Sequence, residues 1–449
     1  FAHRSHRQVE MTAGPLLPNV LAFAVPLILS GMLQLLYNSA DIIVVGRFAD
    51  SVAMASVGAT TSLIHLLVSL LMGLSVGASV AVARAAGAGD RDGVHRAVHT
   101  SVALAVLSGA ALGVLLLVLS RPLLEMMGCP ADVVGGAQLY LNIYAVGLPA
   151  SLVYNYGAAI LRAVGDTKRP LYYLTVSGLV NVVLNVALVA GLRLGVAGVA
   201  IATVVSETIS AVLVLASLIA SHGDVRFEPK KTRIERRSLS MILRIGIPAG
   251  LQSSMFSISN VLIQSAINSF GAAAIAGNTA AASIEGFATT VSNSISQAAL
   301  TFSSQNMGAE KYARVRRVLL VCLAATFVGG LTLGLLIYTF GTPLLALFNT
   351  DPAVIASGLV RVRHNMPLYV LFCMQDTFVG QLRGVGYSLL PTITSLSGIC
   401  LLRVVWLYTA FAASPTLDTL YLSYPVSWAA TLFAFIVCYA VVVRKMPRA

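Results

Sequence analysis

The chain has 449 residues, of which 57% are hydrophobic and only 10% are charged. About a quarter of the residues of a typical soluble domain are charged, so this composition excludes a soluble globular protein. The formal net charge is +12. It reflects basic residues placed between apolar segments, which is a signal of membrane topology, and we expect no nucleic-acid partner.

Apolar stretches about 20 residues long recur along the whole sequence, and this is the length that an α-helix needs to cross roughly 30 Å of hydrocarbon. We therefore predict an all-α polytopic membrane protein with twelve transmembrane helices. The predicted spans cover residues 18–45, 55–83, 95–119, 134–160, 170–191, 194–220, 240–269, 275–304, 316–341, 353–381, 389–412 and 419–443.

The basic residues are distributed unevenly between the two sides of the predicted bundle. Of the 29 Lys and Arg residues, 23 lie on the side of the termini and the even-numbered loops, in those segments or at the span ends next to them; the other six are Arg47, Arg121, Arg193, Arg361, Arg363 and Arg403. By the positive-inside rule, both termini are predicted to be cytoplasmic. The corresponding segments are a cytoplasmic N-terminal segment at 1–17, a first lobe at 18–220, a cytoplasmic linker at 221–239, a second lobe at 240–443 and a cytoplasmic tail at 444–449.

The sequence repeats itself across the charged linker at a shift of about 221 residues. Pro26 then falls on Pro248, Gly87-Ala88 on Gly308-Ala309, and Leu161-Arg-Ala-Val-Gly on Leu382-Arg-Gly-Val-Gly. Six spans in each half predict that both halves cross the membrane in the same direction, related by a pseudo-twofold axis along the membrane normal. Such a repeat predicts a central cavity between two six-helix lobes.

Several segments carry a family resemblance, and they keep their order over nearly the whole chain. They are VPLILSGMLQLLYNSADIIVVGRF (25–48), GLSVGASVAVARAAGAGD (73–90), AAILRAVGDTKRPLYYLTVSGLVNVVLN (158–185), GVAGVAIATVVSE (195–207) and SQNMGAEKYARVRR (304–317). The chain thereby resembles the multidrug and toxic compound extrusion (MATE) transporters of bacterial type. The resemblance implies a V-shaped pair of lobes that exports cationic or amphipathic small molecules against protons or sodium ions, with no enzymatic activity and no cofactor.

Asp41 is the strongest candidate for ion coupling. An Asp at the centre of a membrane helix costs about 2.5–3.5 kcal/mol on insertion scales, so it needs a partner, a proton or a wet cavity. Tyr37 lies one helical turn earlier on the same face. The resemblance implies a first-lobe ion-coupling site at Tyr37, Asp41, Asn181 and Thr203.

Asn185 departs from the family pattern, because some members that resemble this chain carry a second carboxylate there. Hard cations prefer several charged oxygens, so we expect proton coupling, with a weak sodium site at Asp41 as the alternative and no other metal site. Two alternative interpretations stay open. Asp41 could cap a helix or bond a neighbouring backbone group, and Asn181 and Asn185 could simply form hydrogen bonds between helices.

Other polar residues within the spans are candidates for the substrate cavity or for motion. Negative charge suits a cationic substrate, and a proline within a span removes a backbone hydrogen bond and can serve as a bending point. The cavity candidates are Gln34, Asn155, Glu207, Glu285 and Asp376, and the hinge candidate is Pro26. The alternative is that the acids neutralise the intramembrane Arg361, Arg363 and Arg403.

Two other transporter classes remain as alternatives. A lipid-linked oligosaccharide flippase of the same superfamily would need a cavity rich in Arg and Lys, and a major-facilitator protein would also have two parallel six-span halves. Gly73-Leu-Ser-Val-Gly77 fits the nucleophile-elbow pattern, but it lies within a span and not in the strand-turn-helix setting that this motif requires. We expect a monomeric multi-pass protein of the plasma (bacterial inner) membrane, in contact with membrane lipid.

Overall fold

The computed structural model describes residues 8–48, 51–221 and 223–446. Within these residues the chain forms helices and short connections, and it forms no strand. In the same part of the chain, twelve long helical rods follow one another in the order of the predicted spans, and each rod overlaps its span. The predictions of an all-α fold and of twelve helices are therefore confirmed.

Six rods come from the first half of the sequence. They are α1 (Leu16–Phe48), α2 (Ser51–Gly87), α3 (Arg91–Met126), α4 (Val134–Ala163), α5 (Lys168–Asn185, continued by the π-helical segment Val186–Gly191) and α6 (Gly195–Ala220). A 3-10 turn at Pro229–Lys231 lies in the linker that follows.

Six rods come from the second half. They are α7 (Arg236–Asn268), α8 (Ala272–Gly308), α9 (Tyr312–Thr339), α10 (Pro352–Asn365 and Tyr369–Val385, joined by a 3-10 turn at Met366–Leu368), α11 (Leu389–Phe411, with π-helical segments at Leu396–Leu401 and Leu407–Phe411) and α12 (Leu417–Lys445). Pro367 lies in the 3-10 turn that interrupts α10, where its missing N–H removes a backbone hydrogen bond.

Within the described residues, nine of these helices are long and apolar enough to cross a membrane. The other three are α7, α8 and α10. Polar side chains lower the hydropathy of α7 and α8, and the 3-10 turn divides α10 into helices of 14 and 17 residues that are each too short to span a membrane alone. Several polar side chains of these three helices, including Asn278, Glu285 and Arg361, are buried. Polar residues in membrane helices generally face the protein interior, so the low hydropathy of these helices marks the polar interior of the second half.

The described helices form two compact units. Of the residues that the structure describes, those numbered 8–9 and 29–250 form unit 1, and those numbered 10–28 and 251–446 form unit 2. Both α1 and α7 therefore contribute to each unit, and in each case the division falls shortly after a proline, Pro26 in α1 and Pro248 in α7. The predicted membrane topology of the segments remains a prediction, and residues 1–7 and 447–449 of the two predicted cytoplasmic ends lie outside the described residues.

Small residues allow close contact between α2 and the first part of α7 in unit 1. A Cβ atom on Gly73 would overlap the backbone of Gly250, and one on Gly77 would overlap the carbonyl of Ile242. The Gly73-Leu-Ser-Val-Gly77 pattern thus lies within a helix and serves helix packing, as expected for small residues at four-residue spacing.

The charged linker is anchored on α3 within unit 1. The buried ring of His99 accepts a hydrogen bond at Nε2 from the backbone N–H of Glu228 (3.0 Å), and its Nδ1 lies 2.8 Å from the carbonyl oxygen of His95. The Phe227 ring, 7% exposed, lies 5.0 Å from the His99 ring. Farther along, Thr100 Oγ1 accepts from the backbone N–H of Glu235 (3.0 Å). Hydrogen bonds from Ser238 lower the pKa of the Glu235 carboxyl.

Replacing His99 with Ala is expected to loosen this anchor, because the Glu228 N–H loses its buried acceptor and a buried unpaired donor costs about 1–3 kcal/mol. Limited trypsin digestion after Lys230 and Lys231, both exposed, should become several-fold faster. The matched control is His65→Ala, since His65 is exposed on α2. Equal digestion rates for the two variants would contradict an anchoring role for His99.

Candidate functional site

A continuous chain of polar side chains links α1, α5 and α6 in unit 1. Asn185 Nδ2 donates to Asp41 Oδ1 (2.6 Å) and to Asn181 Oδ1 (3.1 Å), and Asn181 Nδ2 donates to Ser206 Oγ (3.3 Å). Asn185 and Asn181 are buried, with 0% and 6% exposure, and Asp41 is half-buried. The structure therefore brings together Asp41, Asn181 and Asn185.

Asp41 lies in the interior of α1, well before its end at Phe48, so the alternative that it caps a helix is wrong. Asn181 and Asn185 do form hydrogen bonds between helices, as the second alternative expected. That arrangement is compatible with ion coupling, because one of the partners is the Asp41 carboxylate itself. In the part of the chain that the structure describes, no basic side chain pairs with Asp41.

The two remaining members of the predicted ion site bond elsewhere. Tyr37 donates its hydroxyl to the carbonyl of Thr175 on α5 (3.3 Å), and Thr203 donates to the carbonyl of Val199 in its own helix (3.0 Å). The Tyr37 ring packs directly over Gly178, where any side-chain carbon would overlap it. Tyr37 thus packs α1 against α5 near the polar chain, while neither hydroxyl is bonded to Asp41.

Ser206 belongs to this polar chain although sequence reasoning did not select it. Its hydroxyl donates to the carbonyl of Thr203 (2.8 Å) and accepts from Asn181. The available signal was its position three residues after Thr203, which places both on one face of α6.

The three cavity candidates of unit 1 have different environments. The Gln34 side chain is exposed on α1, and Asn155 Nδ2 donates to the carbonyl of Ser151 in its own helix (2.8 Å). Glu207 on α6 is half-buried, and its Oε2 is a buried atom without a hydrogen-bond partner among the described residues. Among these three candidates, Glu207 is the one with an unpaired carboxylate oxygen.

A buried ion pair organises the polar interior of unit 2. Arg361 of α10 donates from Nε to Glu285 Oε1 (3.0 Å) and from Nη2 to Glu285 Oε2 (2.6 Å). Asn278 Oδ1 accepts from Arg361 Nη1 (2.6 Å) and from the Tyr421 hydroxyl (3.0 Å), and Asn365 Nδ2 donates to Glu285 Oε1 (3.3 Å). Both carboxylate oxygens of Glu285 are therefore engaged. The alternative that an intramembrane acid neutralises Arg361 is confirmed for Glu285.

Arg403 and Arg363, the other two intramembrane arginines, are not neutralised by an acid among the described residues. Arg403 of α11 donates from Nε to Ser427 Oγ (3.1 Å), and its Cζ lies 4.1 Å from the centre of the Tyr424 ring. Within the described part of the chain it forms no ion pair. The Arg363 side chain is exposed. Asp376 accepts from the Ser292 hydroxyl at Oδ2 (3.2 Å) and does not pair with these arginines.

Unit 2 contains a cavity of about 370 Å³ lined by residues of α7, α8, α10, α11 and α12. Glu285, Arg361 and Arg403 lie on its wall together with aromatic rings, including those of Tyr424 and Trp428. Asp376 is not one of its lining residues. Of the two second-half acids predicted for the substrate cavity, only Glu285 lines it.

Among residues 8–48, 51–221 and 223–446, no group of three or more His, Cys, Asp or Glu side chains has the arrangement of a metal site. The five cysteines are unpaired thiols. The polar chemistry in these ranges consists of amides, hydroxyls, carboxylates and guanidinium groups.

Comparison with known proteins decides the family. The MatE family model matches the chain twice, over residues 26–187 and over residues 248–409. The chain belongs to the MatE family. The two matches fall in the two halves, which agrees with the repeat seen in the sequence. As members of this family are transporters, this MatE protein is a multi-pass membrane transporter and not an enzyme.

Several known proteins are similar to this MatE chain. A probable multidrug resistance protein of Bacillus subtilis strain 168, YoeA, is 27% identical over 384 residues, covering 84% of this chain and 83% of the relative. A second one from the same organism, YpnP, is 26% identical over 397 residues and covers 88% of each. The fold matches that of a multidrug resistance MATE family transporter solved in an outward-facing conformation, with a TM-score of 0.93 at 21% identity over 100% of both chains.

Proposed function

We propose that this MatE protein exports amphipathic small molecules, including cations, in exchange for protons that load on Asp41. The observation that carries this proposal is the Asp41 carboxylate, held by Asn185 inside unit 1 without a basic partner among the described residues. A carboxylate in a membrane helix that lacks a counter-ion needs a proton or a wet cavity. The names of the Bacillus relatives, probable multidrug resistance proteins, support drug-like substrates.

A proton fits Asp41 better than a sodium ion. Sodium, as a hard cation, is held by several oxygen ligands. The atom closest to the Asp41 carboxylate among its described partners is an amide nitrogen, Asn185 Nδ2 at 2.6 Å, which is a donor. Tyr37 and Thr203 direct their hydroxyl hydrogens to backbone carbonyls. Among the described residues, the site thus offers a single carboxylate, and the side chain bonded to it is a hydrogen-bond donor.

The proposed cycle follows from the polar chain. A proton on Asp41 removes the charge that attracts Asn185 Nδ2, so the bonds that link α1 with α5 and α6 are redistributed. A proton shifts the balance between inward- and outward-facing states only as far as its affinities for the two states differ. One proton that enters along the membrane potential supplies about 2.3 kcal/mol per 100 mV.

Pro26 is proposed as the hinge of α1 in this cycle. It is buried within α1 and lacks the N–H of a normal helical residue. The boundary between the two compact units falls two residues later, after Ile28. Bending of α1 at this point would change the position of Asp41 relative to residues 16–28.

The proposal further places the protein as a monomer in the bacterial inner membrane, surrounded by membrane lipid, with both termini in the cytoplasm. The excess of Lys and Arg in the even-numbered loops supports this orientation. Glu207, with an unpartnered buried oxygen, is the group proposed to attract cationic substrates in unit 1.

Purified protein in liposomes tests the function directly. We expect ethidium transport to be driven by an opposing pH gradient at least tenfold faster than without a gradient, and to be indifferent to a sodium gradient at constant pH. Protein-free liposomes give the leak rate. A fluorescent lipid-linked sugar in a parallel assay tests the flippase alternative. Transport driven by sodium alone, or movement of the lipid without ethidium, would reject the proposal.

A further inference from the structure

The cavity of unit 2 has the size and the wall of a ligand site. Its volume of about 370 Å³ falls in the range of small-molecule pockets, about 300–1,000 Å³. Aromatic rings form much of its wall, among them Phe372, Tyr424 and Trp428. A few polar groups among apolar and aromatic ones are typical of sites that bind compact aromatic molecules.

The charge of this cavity is positive. Two guanidinium groups, those of Arg361 and Arg403, and one carboxylate, that of Glu285, lie on its wall. Because both oxygens of Glu285 accept hydrogen bonds from Arg361, the pair is neutral as a whole. One uncompensated positive charge remains, and it belongs to Arg403.

The Arg403 side chain is fixed in position, but not all of its hydrogen-bond donors have partners. Its side chain is anchored through Nε on Ser427 Oγ and through the face of Tyr424, and the residue is only 5% exposed. Its two terminal nitrogens have no hydrogen-bond partner in the described part of the chain. A cation buried in this way is costly unless an anion or polar groups complete its bonds.

We propose that the unit 2 cavity binds the anionic group of an aromatic monocarboxylate, with the carboxylate on the terminal nitrogens of Arg403 and the aromatic body against Phe372 and Trp428. The planar guanidinium matches a carboxylate in a bidentate geometry. The Tyr424 ring and Ser427 orient the guanidinium in advance, so little side-chain freedom is lost when the ligand binds.

The net charge of the cavity favours a monocarboxylate over a cation and over a lipid pyrophosphate. A cation would meet the positive charge of Arg403 and find Glu285 already engaged by Arg361. A lipid pyrophosphate carries at least two negative charges, whereas a single uncompensated guanidinium faces the cavity and Arg363 is exposed and does not line it. A single carboxylate would neutralise the net positive charge of the cavity.

Binding can be measured through Trp428. The chain has two tryptophans, and Trp406 is not one of the residues that line the cavity, so a Trp406→Phe background leaves Trp428 as the only tryptophan. The probes are 4-tert-butylbenzoate, the neutral 4-tert-butylbenzyl alcohol, the cationic 4-tert-butylbenzylamine and, as a lipid pyrophosphate, farnesyl pyrophosphate. We expect the carboxylate to change the Trp428 emission with at least tenfold higher affinity than the alcohol, and the amine to bind more weakly than the alcohol.

Variants of Arg403 identify the group responsible. Arg403→Gln should remove the preference for the carboxylate over the alcohol, and Arg403→Lys should keep part of it because the charge is retained. Arg363→Gln is the matched control and should behave like the parent protein. Equal affinities for carboxylate and alcohol in the parent, an undiminished preference in a monodisperse Arg403→Gln sample, or tighter binding of the amine or of farnesyl pyrophosphate would overturn the proposal.

A contribution of this cavity to transport would depend on the proposed export function, whereas the binding measurement is independent of it. Carboxylate binding without any transport in liposomes would reject the export function and leave the Arg403 site standing. Proton-driven ethidium transport without a preference for the carboxylate probe would reject the Arg403 site and leave the export function standing.

Discussion

Asp41→Asn is expected to abolish proton-driven export while the protein still folds. The Asn side chain keeps an acceptor oxygen for Asn185 Nδ2, which lies 2.6 Å from Asp41 Oδ1, but it can no longer gain and lose a proton. The pH gradient then has no group on which to act, so the gradient-driven rate of ethidium transport should fall at least tenfold, to the rate seen without a gradient. Initial rates in liposomes with and without the gradient measure this effect.

Asp376→Asn is the matched control, since it makes the same chemical change in unit 2. Asp376 is bonded to Ser292 and has no contact with the polar chain of α1, α5 and α6. We expect the ratio of rates with and without the gradient to stay as in the parent protein, whatever happens to the absolute rate. Survival of the full gradient dependence in Asp41→Asn would remove Asp41 from the mechanism.

Arg361→Met is expected to destabilise the protein strongly, because it leaves Glu285 as a buried carboxylate without its cation. Removing one partner of a buried ion pair costs about 3–5 kcal/mol, whereas replacing both partners by apolar or neutral groups can be nearly neutral. The double variant Arg361→Met with Glu285→Gln should therefore recover much of the loss. For a unit of this size the single variant should lower the midpoint of thermal unfolding in detergent by roughly 10 °C.

The control for this cycle is Arg363→Met, two residues farther along α10. Arg363 is exposed, so its removal should leave the midpoint within a few degrees of the parent. A double variant as unstable as Arg361→Met alone would show that the network around Asn278 and Tyr421, and not the charge of Glu285, determines the stability.

The succession of helices could be predicted from the sequence because hydrophobic length alone marks a membrane span. Three predicted spans contain interruptions that hydropathy does not report. The π-helical segment Val186–Gly191 follows Asn185, the 3-10 turn at Met366–Leu368 breaks α10, and α11 contains two π-helical segments. Pro367 is a sequence signal for the 3-10 turn, whereas the π-helical segments have no comparable marker.

The polar residues are harder to interpret, because the sequence predicts which residues share a helix face but not which other helix packs against that face. Asp41 and Asn185 could be selected from the family resemblance, and the structure does bring them together. Ser206 and Asn278 were missed, because Ser and Asn within a span are common and only the packing of another helix gives them a role. The alternative that an acid neutralises Arg403 considers charges alone, whereas the Arg403 guanidinium lies on the face of the Tyr424 ring.

The anchored linker has a practical consequence for protein engineering. A long charged loop between two halves is an attractive place to insert a reporter or a crystallisation chaperone. Here, however, Phe227 and Glu235 are tied to α3 through His99 and Thr100, and the stretch between them, residues 229–234, is exposed. An insertion within 229–234 would therefore preserve both attachments, whereas one next to Val225, a buried residue, would separate the linker from the helix that holds it.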